Sequence, residues 1–317
     1  EMSASLVGSE MCIRDRYEVE NCVKEMAGQD VKGKLKTAGV DKIVSIKVKE
    51  KENKNKIAVL YAEGEIRDED SSSPFSADEQ VISEEMANKL RKLKDDDDVK
   101  AVVFRVNSPG GSAYISEQIW KEVVELKAKK PIVVSMGNYA ASGGYYISCA
   151  ANKIVAERTT LTGSIGVFGV VRNFTGTFDK VGVTTDIVKT NTFADLGDIS
   201  RPMREDEKAL IQRGVEQTYD LFLTRCADGR GMTKAEIDSI GQGRVWTGEQ
   251  ALERGLVDQL GGMDDAIKEA ATLAELTDYS VIVADGPKDF FTKFMEKQMD
   301  EVKVSIAKSV MGEEQFK

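Results

Sequence analysis

The feature that most constrains this chain is a recurring change of period. A short, continuously apolar, β-branched run meets a glycine turn, and apolar residues then return at helical spacing. Ala101-Val102-Val103-Phe104-Arg105-Val106 runs into Asn107-Ser108-Pro109-Gly110-Gly111, after which Ile115, Ile119, Val123 and Leu126 recur every three or four residues. Pro131-Ile132-Val133-Val134-Ser135 is a second such run. It leads into Asn138-Tyr139-Ala140-Ala141-Ser142-Gly143-Gly144-Tyr145-Tyr146, read as a turn and a short helix through Ala151. Ile57–Tyr61 and Lys153–Ala156 supply two more strands. Runs without polar alternation are buried on both faces, and helical crossovers of this length suit parallel pairing, so the expected fold is an α/β layer protein with a mostly parallel sheet.

The remaining segments give less regular expectations. Ser76 with Glu79 forms a capping-box pattern for a helix running toward Lys94, and Asp95 to Asp98 read as the solvated turn that ends it. A helix is expected near Asn173 to Val181, a strand at Val183 to Val188 and a long helix from Arg204 to Ala227. Thr233 with Glu236, and Thr247 with Gln250, mark two further helix starts. The stretch 276–317 reads as a strand followed by a charged amphipathic tail from Phe290 onward.

Composition removes several function classes. With 41% hydrophobic residues among 317, the chain can bury a sizeable core. Its net charge is −10 and no window combines clustered Lys/Arg with aromatics, which argues against a nucleic-acid surface. Histidine is absent, and Cys12, Cys22, Cys149 and Cys226 lack metal-ligand spacing, so neither a metal nor a cofactor is expected. A Cys149–Cys226 disulfide and free thiols both fit the sequence. No run of about 18 apolar residues is present, so any membrane anchor is expected outside this chain. Ser5 to Asp15 looks like a translated sequencing adapter, which sets residues 1–16 outside the fold. Residues 17–56 read as a linker or the end of a missing N-terminal repeat, closing in the lysine-rich stretch Lys47 to Lys56, and the gene product is expected to extend upstream of Tyr17.

The chemistry concentrates at the two glycine turns, which close successive strands where sites form in open α/β sheets. Pro109-Gly110-Gly111 can aim backbone N–H groups outward, and Ser142 stands at a helix start with the Gly143 N–H beside it. Together they supply a nucleophile and two oxyanion donors. A serine hydroxyl needs a base, and without histidine the commonest remaining choice is lysine. Taken singly, each turn is better explained as a tight strand-to-helix connection with a serine N-cap.

Taken together, four motifs resemble the signal peptide peptidase A family, serine proteases related in fold to the Clp protease subunit and the crotonases. They are Arg105-Val106-Asn107-Ser108-Pro109-Gly110-Gly111-Ser112, Ala140-Ala141-Ser142-Gly143-Gly144-Tyr145, Leu161-Thr162-Gly163-Ser164-Ile165-Gly166 and Gly243-Arg244-Val245-Trp246-Thr247-Gly248. The resemblance covers residues 57 to about 275 and implies a ClpP/crotonase-like repeated β-β-α superhelix with additional C-terminal helices. It implies Ser142 as nucleophile, the Gly111 and Gly143 amides as oxyanion donors, and Ser164 as the hydroxyl that orients a lysine base.

The base itself departs from the pattern. The short form of the family carries its lysine where Ala194 stands here, and Lys189 is the nearest alternative. The long, tandem form takes its lysine from the N-terminal repeat and its serine from the C-terminal one, a division that fits this chain. Such a lysine must be desolvated to stay neutral, and Ile165, Val167 and Phe168 are candidates for the dry wall. The resemblance further implies apolar peptide substrates such as cleaved signal peptides, met by Tyr145, Tyr146 and small residues. It also implies a homo-oligomer and a site on the extracytoplasmic side of a bacterial cell membrane. Two other readings stay open on the residues: a crotonase-like acyl-CoA enzyme, and a non-catalytic scaffold half used for oligomerisation.

Overall fold

The structure is a computed structural model that describes residues 16–37, 53–68 and 81–284. The chain divides into two compact units, Glu1–Lys51 and Glu52–Lys317. In the first, within the expected linker, a helix α1 spans Arg16–Met26, where the Lys24 ammonium pairs with Glu20 at 3.0 Å, one helical turn away.

The second unit is built on an eight-stranded sheet. Its path runs β10 (Ser280–Ala284), β1 (Lys56–Glu63), β4 (Val99–Ser108), β5 (Ile132–Ala141), β6 (Lys153–Ala156) and β9 (Gln259–Leu260), all parallel neighbours. A small parallel pair, β2 (Glu65–Ile66) with β3 (Val81–Ile82), stands beside it. The continuous apolar runs are explained by the two layers they face. Ile57, Val59, Ala101, Val103, Val133 and Val155 pack on one side against helix α9 (Met263–Leu273). Alternate residues, such as Leu60, Phe104, Val106 and Met136, point the other way, toward α2 (Glu85–Asp95) and α3 (Ala113–Lys127). Burying each large aliphatic side chain contributes about 1.5–3 kcal/mol.

The branching of β5 is what positions the site. Its first half, Val133–Ser135, pairs with β6, whereas Tyr139, Ala140 and Ala141 pair with Leu161, Thr162 and Gly163 of a separate strand, β7 (Leu161–Gly163). Strand β7 is held on its other side, antiparallel, by β8 (Val245–Thr247). The third and fourth sequence motifs are therefore one two-stranded unit.

The later elements are α4 (Gly143–Tyr146), α5 (Thr175–Val181), α6 (Glu205–Arg230), α7 (Lys234–Ile240) and α8 (Gly248–Glu253). The Thr233 and Thr247 hydroxyls accept from the amides of Glu236 and Gln250, the two capping boxes read from the sequence. The aspartate run behaves as a turn, with Asp96 Oδ1 accepting the Asp98 amide at 2.9 Å.

Three expectations are corrected. Val81–Ile82 form β3, and the helix toward Lys94 begins only at Glu85; Ser76 and Glu79 lie outside the described residues. The helix after Ser142 ends at Tyr146 and continues as turns toward Ala150. Val183 to Val188 form no strand: among the described residues no strand pairs with them, and Val188 is 97% exposed. The tail from Phe290 lies outside the described residues, while β10 adds to the sheet edge beside β1. Cys149 and Cys226 are buried free thiols.

Candidate active site

The two glycine turns touch. Gly110, at φ +99°, lies so close to the second turn that a Cβ there would stand 2.5 Å from the Gly143 nitrogen and 2.8 Å from the Ala141 oxygen. Gly143 is as confined, a Cβ meeting the Ser116 hydroxyl at 2.7 Å. Glycine is required at both because the two strand ends converge at backbone contact.

Both candidate donors face away from the sheet's own bonding. The Ile66 amide donates to Gly110 O at 2.8 Å and the Ser112 amide donates to Ile66 O at 2.7 Å. These two bonds make a parallel bridge between Ile66 and Gly111, in which the bridged residue's own N–H points to the opposite side, so Gly111 N–H is turned away from β2. Gly143 opens α4, where the first N–H groups have no intrahelical acceptor.

Ser142 is held in a conformation few non-glycine residues adopt, φ 52° and ψ −119°, and its side chain makes no capping hydrogen bond. The serine N-cap explanation is thereby removed: the hydroxyl is not spent on the helix. Ser164 shares the strain at φ 48°. The Ser142 amide donates to Gly163 O at 3.0 Å, and the Ser164 amide donates to Arg244 O at 2.7 Å.

Gly111, Ser142, Gly143 and Ser164 line one cleft of about 880 Å³. Its apolar wall comes from Val167 and Phe168 and from one face of α6, where Val215, Tyr219 and Phe222 recur at helical spacing. This α6 wall was missed in the sequence, although the spacing was its available signal. Ile165 is fully buried beneath the loop instead of lining it. Tyr145 is likewise corrected: it lies in the core, its hydroxyl donating to Leu256 O at 2.9 Å, and only Tyr146 reaches the cleft. Burial, reinforced by the hydrogen bond the phenol donates to the Glu117 carboxylate at 2.5 Å, pushes the Tyr146 phenol well above its ordinary pKa. Arg225 binds the same carboxylate and stacks on Trp120 with 3.9 Å to the ring centroid, tying α3, α4 and α6 together.

Among the described residues, none lining the cleft is a lysine; its titratable members are Glu65, Glu216, Tyr146 and Tyr219. Lys189 lies elsewhere, donating to Asp195 Oδ1 at 2.9 Å. Ala194 sits in the same loop, its amide donating to Asn191 O. No group of carboxylates and cysteines able to hold a metal occurs among the described residues.

The strained Ser142 shares its cleft with Gly111, Gly143 and Ser164, and the comparisons with known proteins place the chain among peptidases. The family described as Peptidase family S49 matches residues 124–277, and the Clp protease family matches residues 72–165. The putative signal peptide peptidase SppA of Enterococcus faecium is 38% identical over 245 residues, covering 77% of this chain and 71% of the relative. The chain belongs to peptidase family S49. Two other relatives are longer: Protease 4 of Salmonella typhi is 40% identical, and the chloroplastic serine protease SPPA of Arabidopsis thaliana 36%. The chain spans 41% and 39% of their lengths. The Clp protease match agrees with the α/β, mostly parallel architecture, and no described helix is long and apolar enough to cross a membrane.

Proposed function

We propose that this S49 chain is the serine-bearing half of a serine endopeptidase that cleaves apolar peptides, signal peptides released from their precursors among them, through an acyl-enzyme. The observation that carries the reading is the strained, uncapped Ser142 in a cleft lined also by Gly111 and Gly143 and, among the described residues, by no lysine. In this reading Ser142 attacks the peptide carbonyl, Gly111 and Gly143 N–H groups hold the developing oxyanion, and a neutral lysine takes the serine proton and returns it to the leaving amine. Ser164 orients that lysine. The lysine comes from an N-terminal repeat, in the same longer chain or in a neighbouring copy of a homo-oligomer. The apolar wall of Val167, Phe168, Val215 and Phe222 favours apolar side chains and keeps the lysine desolvated. The setting is the extracytoplasmic face of a bacterial membrane, reached through an anchor outside this chain.

The uncapped hydroxyl disfavours a purely scaffolding role. A crotonase-type acyl-CoA enzyme places its acid/base carboxylate at the second glycine turn, where this chain has Ser142; the cleft's carboxylates, Glu65 and Glu216, stand on other elements.

The test is activity-based labelling of Ser142 with a fluorophosphonate, together with peptide cleavage. The chain alone is expected to cleave peptides about 10²–10⁴-fold more slowly than an assembly that includes a lysine-bearing repeat, the usual contribution of general-base catalysis. Ser142→Ala removes labelling in both. Fast, Ser142-dependent cleavage by the chain alone would overturn the divided site.

A further inference from the structure

We propose that Tyr219, held by Asp238, is a positioning residue that fixes Ser164 through the loop Gly241–Arg244. The inference rests on the reading of Ser164 as the hydroxyl that orients the base. Tyr219 stands on α6 and lines the cleft, while Asp238 is on α7. The Tyr219 hydroxyl donates to Asp238 Oδ1 at 2.6 Å and accepts the Gln242 amide at 3.0 Å. Burial, and then the Asp238 hydrogen bond, raise the phenol above its ordinary pKa, so it remains a neutral donor.

Gln242 occupies the left-handed region at φ 56°, as Ser164 does at φ 48°. Two strained residues persist side by side only where their surroundings over-determine them. Here the loop and the serine brace each other: Gly243 N–H donates to Ile165 O at 2.8 Å and Ser164 N–H donates to Arg244 O at 2.7 Å. The packing leaves no slack. A Cβ on Gly166 would lie 2.8 Å from the Gly243 nitrogen, and one on Gly241 would lie 3.1 Å from the Tyr219 hydroxyl and 3.3 Å from Ile165 O. The Gln242 amide held by Tyr219 is thus one residue from the amide that holds Ile165, and two from the carbonyl that holds Ser164. Trp246 closes the far side, its indole N–H donating to Ile240 O at 3.0 Å.

Tyr219→Phe deletes one oxygen and keeps the ring. Hydrogen exchange is then followed at the Ser164 and Gly243 amides, which donate to Arg244 O and Ile165 O and not to Tyr219. Exchange at both is expected to quicken about tenfold while that of the β4 amides is unchanged. In an assembly supplying the lysine, kcat for peptide cleavage is expected to fall about 10- to 100-fold with KM nearly constant. Asp238→Asn, which keeps an acceptor for the phenol, stays within about threefold of wild type in both readouts, whereas Asp238→Ala follows Tyr219→Phe. Should Tyr219→Phe not fold, Asp238→Ala gives the same measurement. Unchanged exchange at Ser164 and Gly243 overturns the proposal, as does quickened exchange with undiminished kcat. Full activity in Ser142→Ala overturns the peptidase reading instead, and the exchange arm decides the Tyr219 brace without any turnover.

Discussion

The backbone amide of Ser142 donates to the carbonyl of Gly163 at 3.0 Å, one step beyond the last register pair of β5 with β7, Ala141 with Gly163. Two serines from different motifs therefore leave neighbouring parallel strands side by side, Ser142 and Ser164, both at positive φ. The strain at each is supported by the ladder below it, which is how a folded sheet can pay for a local outlier.

Replacing Ser142 by glycine should stabilise the protein while removing its reactive hydroxyl. Relief of the strain at φ 52° outweighs the extra chain entropy of glycine by about 1 kcal/mol. Ser142→Ala retains a Cβ and should show no such gain. Urea unfolding of the two variants separates them; equal stabilities would remove the strain argument.

Gly110→Ala forces a methyl to 2.5 Å from the Gly143 nitrogen, at a backbone φ of +99°. A loss of roughly 2–4 kcal/mol is expected, from overpacking and left-handed strain together, with reduced fluorophosphonate labelling of Ser142. Gly169→Ala, with nothing within 4 Å of its Cβ, is the control and should change stability by less than about 0.5 kcal/mol. A well-folded Gly110→Ala protein with normal labelling would show that the two turns can separate without consequence.

Lys189→Ala tests the nearest lysine to the family position. Its ammonium is held by Asp195 and lies outside the cleft lining, so residual Ser142 labelling of the chain should stay within about twofold, as expected on losing a partly exposed ion pair. A drop of about a hundredfold or more, the lower end of what a general base contributes, would make Lys189 the base after all.

The loop bearing Ala194 is tied to the start of α6 by charge, and this gives a pH dependence. Hydrogen bonds from Arg201 hold the buried Glu207 carboxyl down at about 2, and Lys189 with Arg201 holds Asp195 well below the usual carboxylate range. Folded-state values below the unfolded ones mean that this stabilisation is complete above the unfolded carboxylate pKa of about 4.3. It is lost as pH falls from there toward 2, when the protonated carboxyls release Arg201 and Arg204. Limited proteolysis between Lys189 and Arg204 should accelerate across that window and be flat from pH 5 to 7. Acceleration above pH 5 would contradict the assignment.

Much was determined by the sequence alone, because the relevant physics is local. Unalternating apolar runs demand burial on both faces, so the strands Ile57–Tyr61, Ala101–Val106 and Lys153–Ala156, and their parallel pairing, could be read from period and crossover length. The capping boxes at Thr233 and Thr247 were equally legible, each being a contact across three residues. Tertiary structure decided what local pattern cannot carry. It split β5 between β6 and β7, withheld a partner from Val183 to Val188, sent Tyr145 into the core and brought Tyr219 of α6 to the loop beside Ser164. Each of these depends on which distant backbone groups and cavities are left to be filled once the sheet has formed, and that is a property of the packed whole.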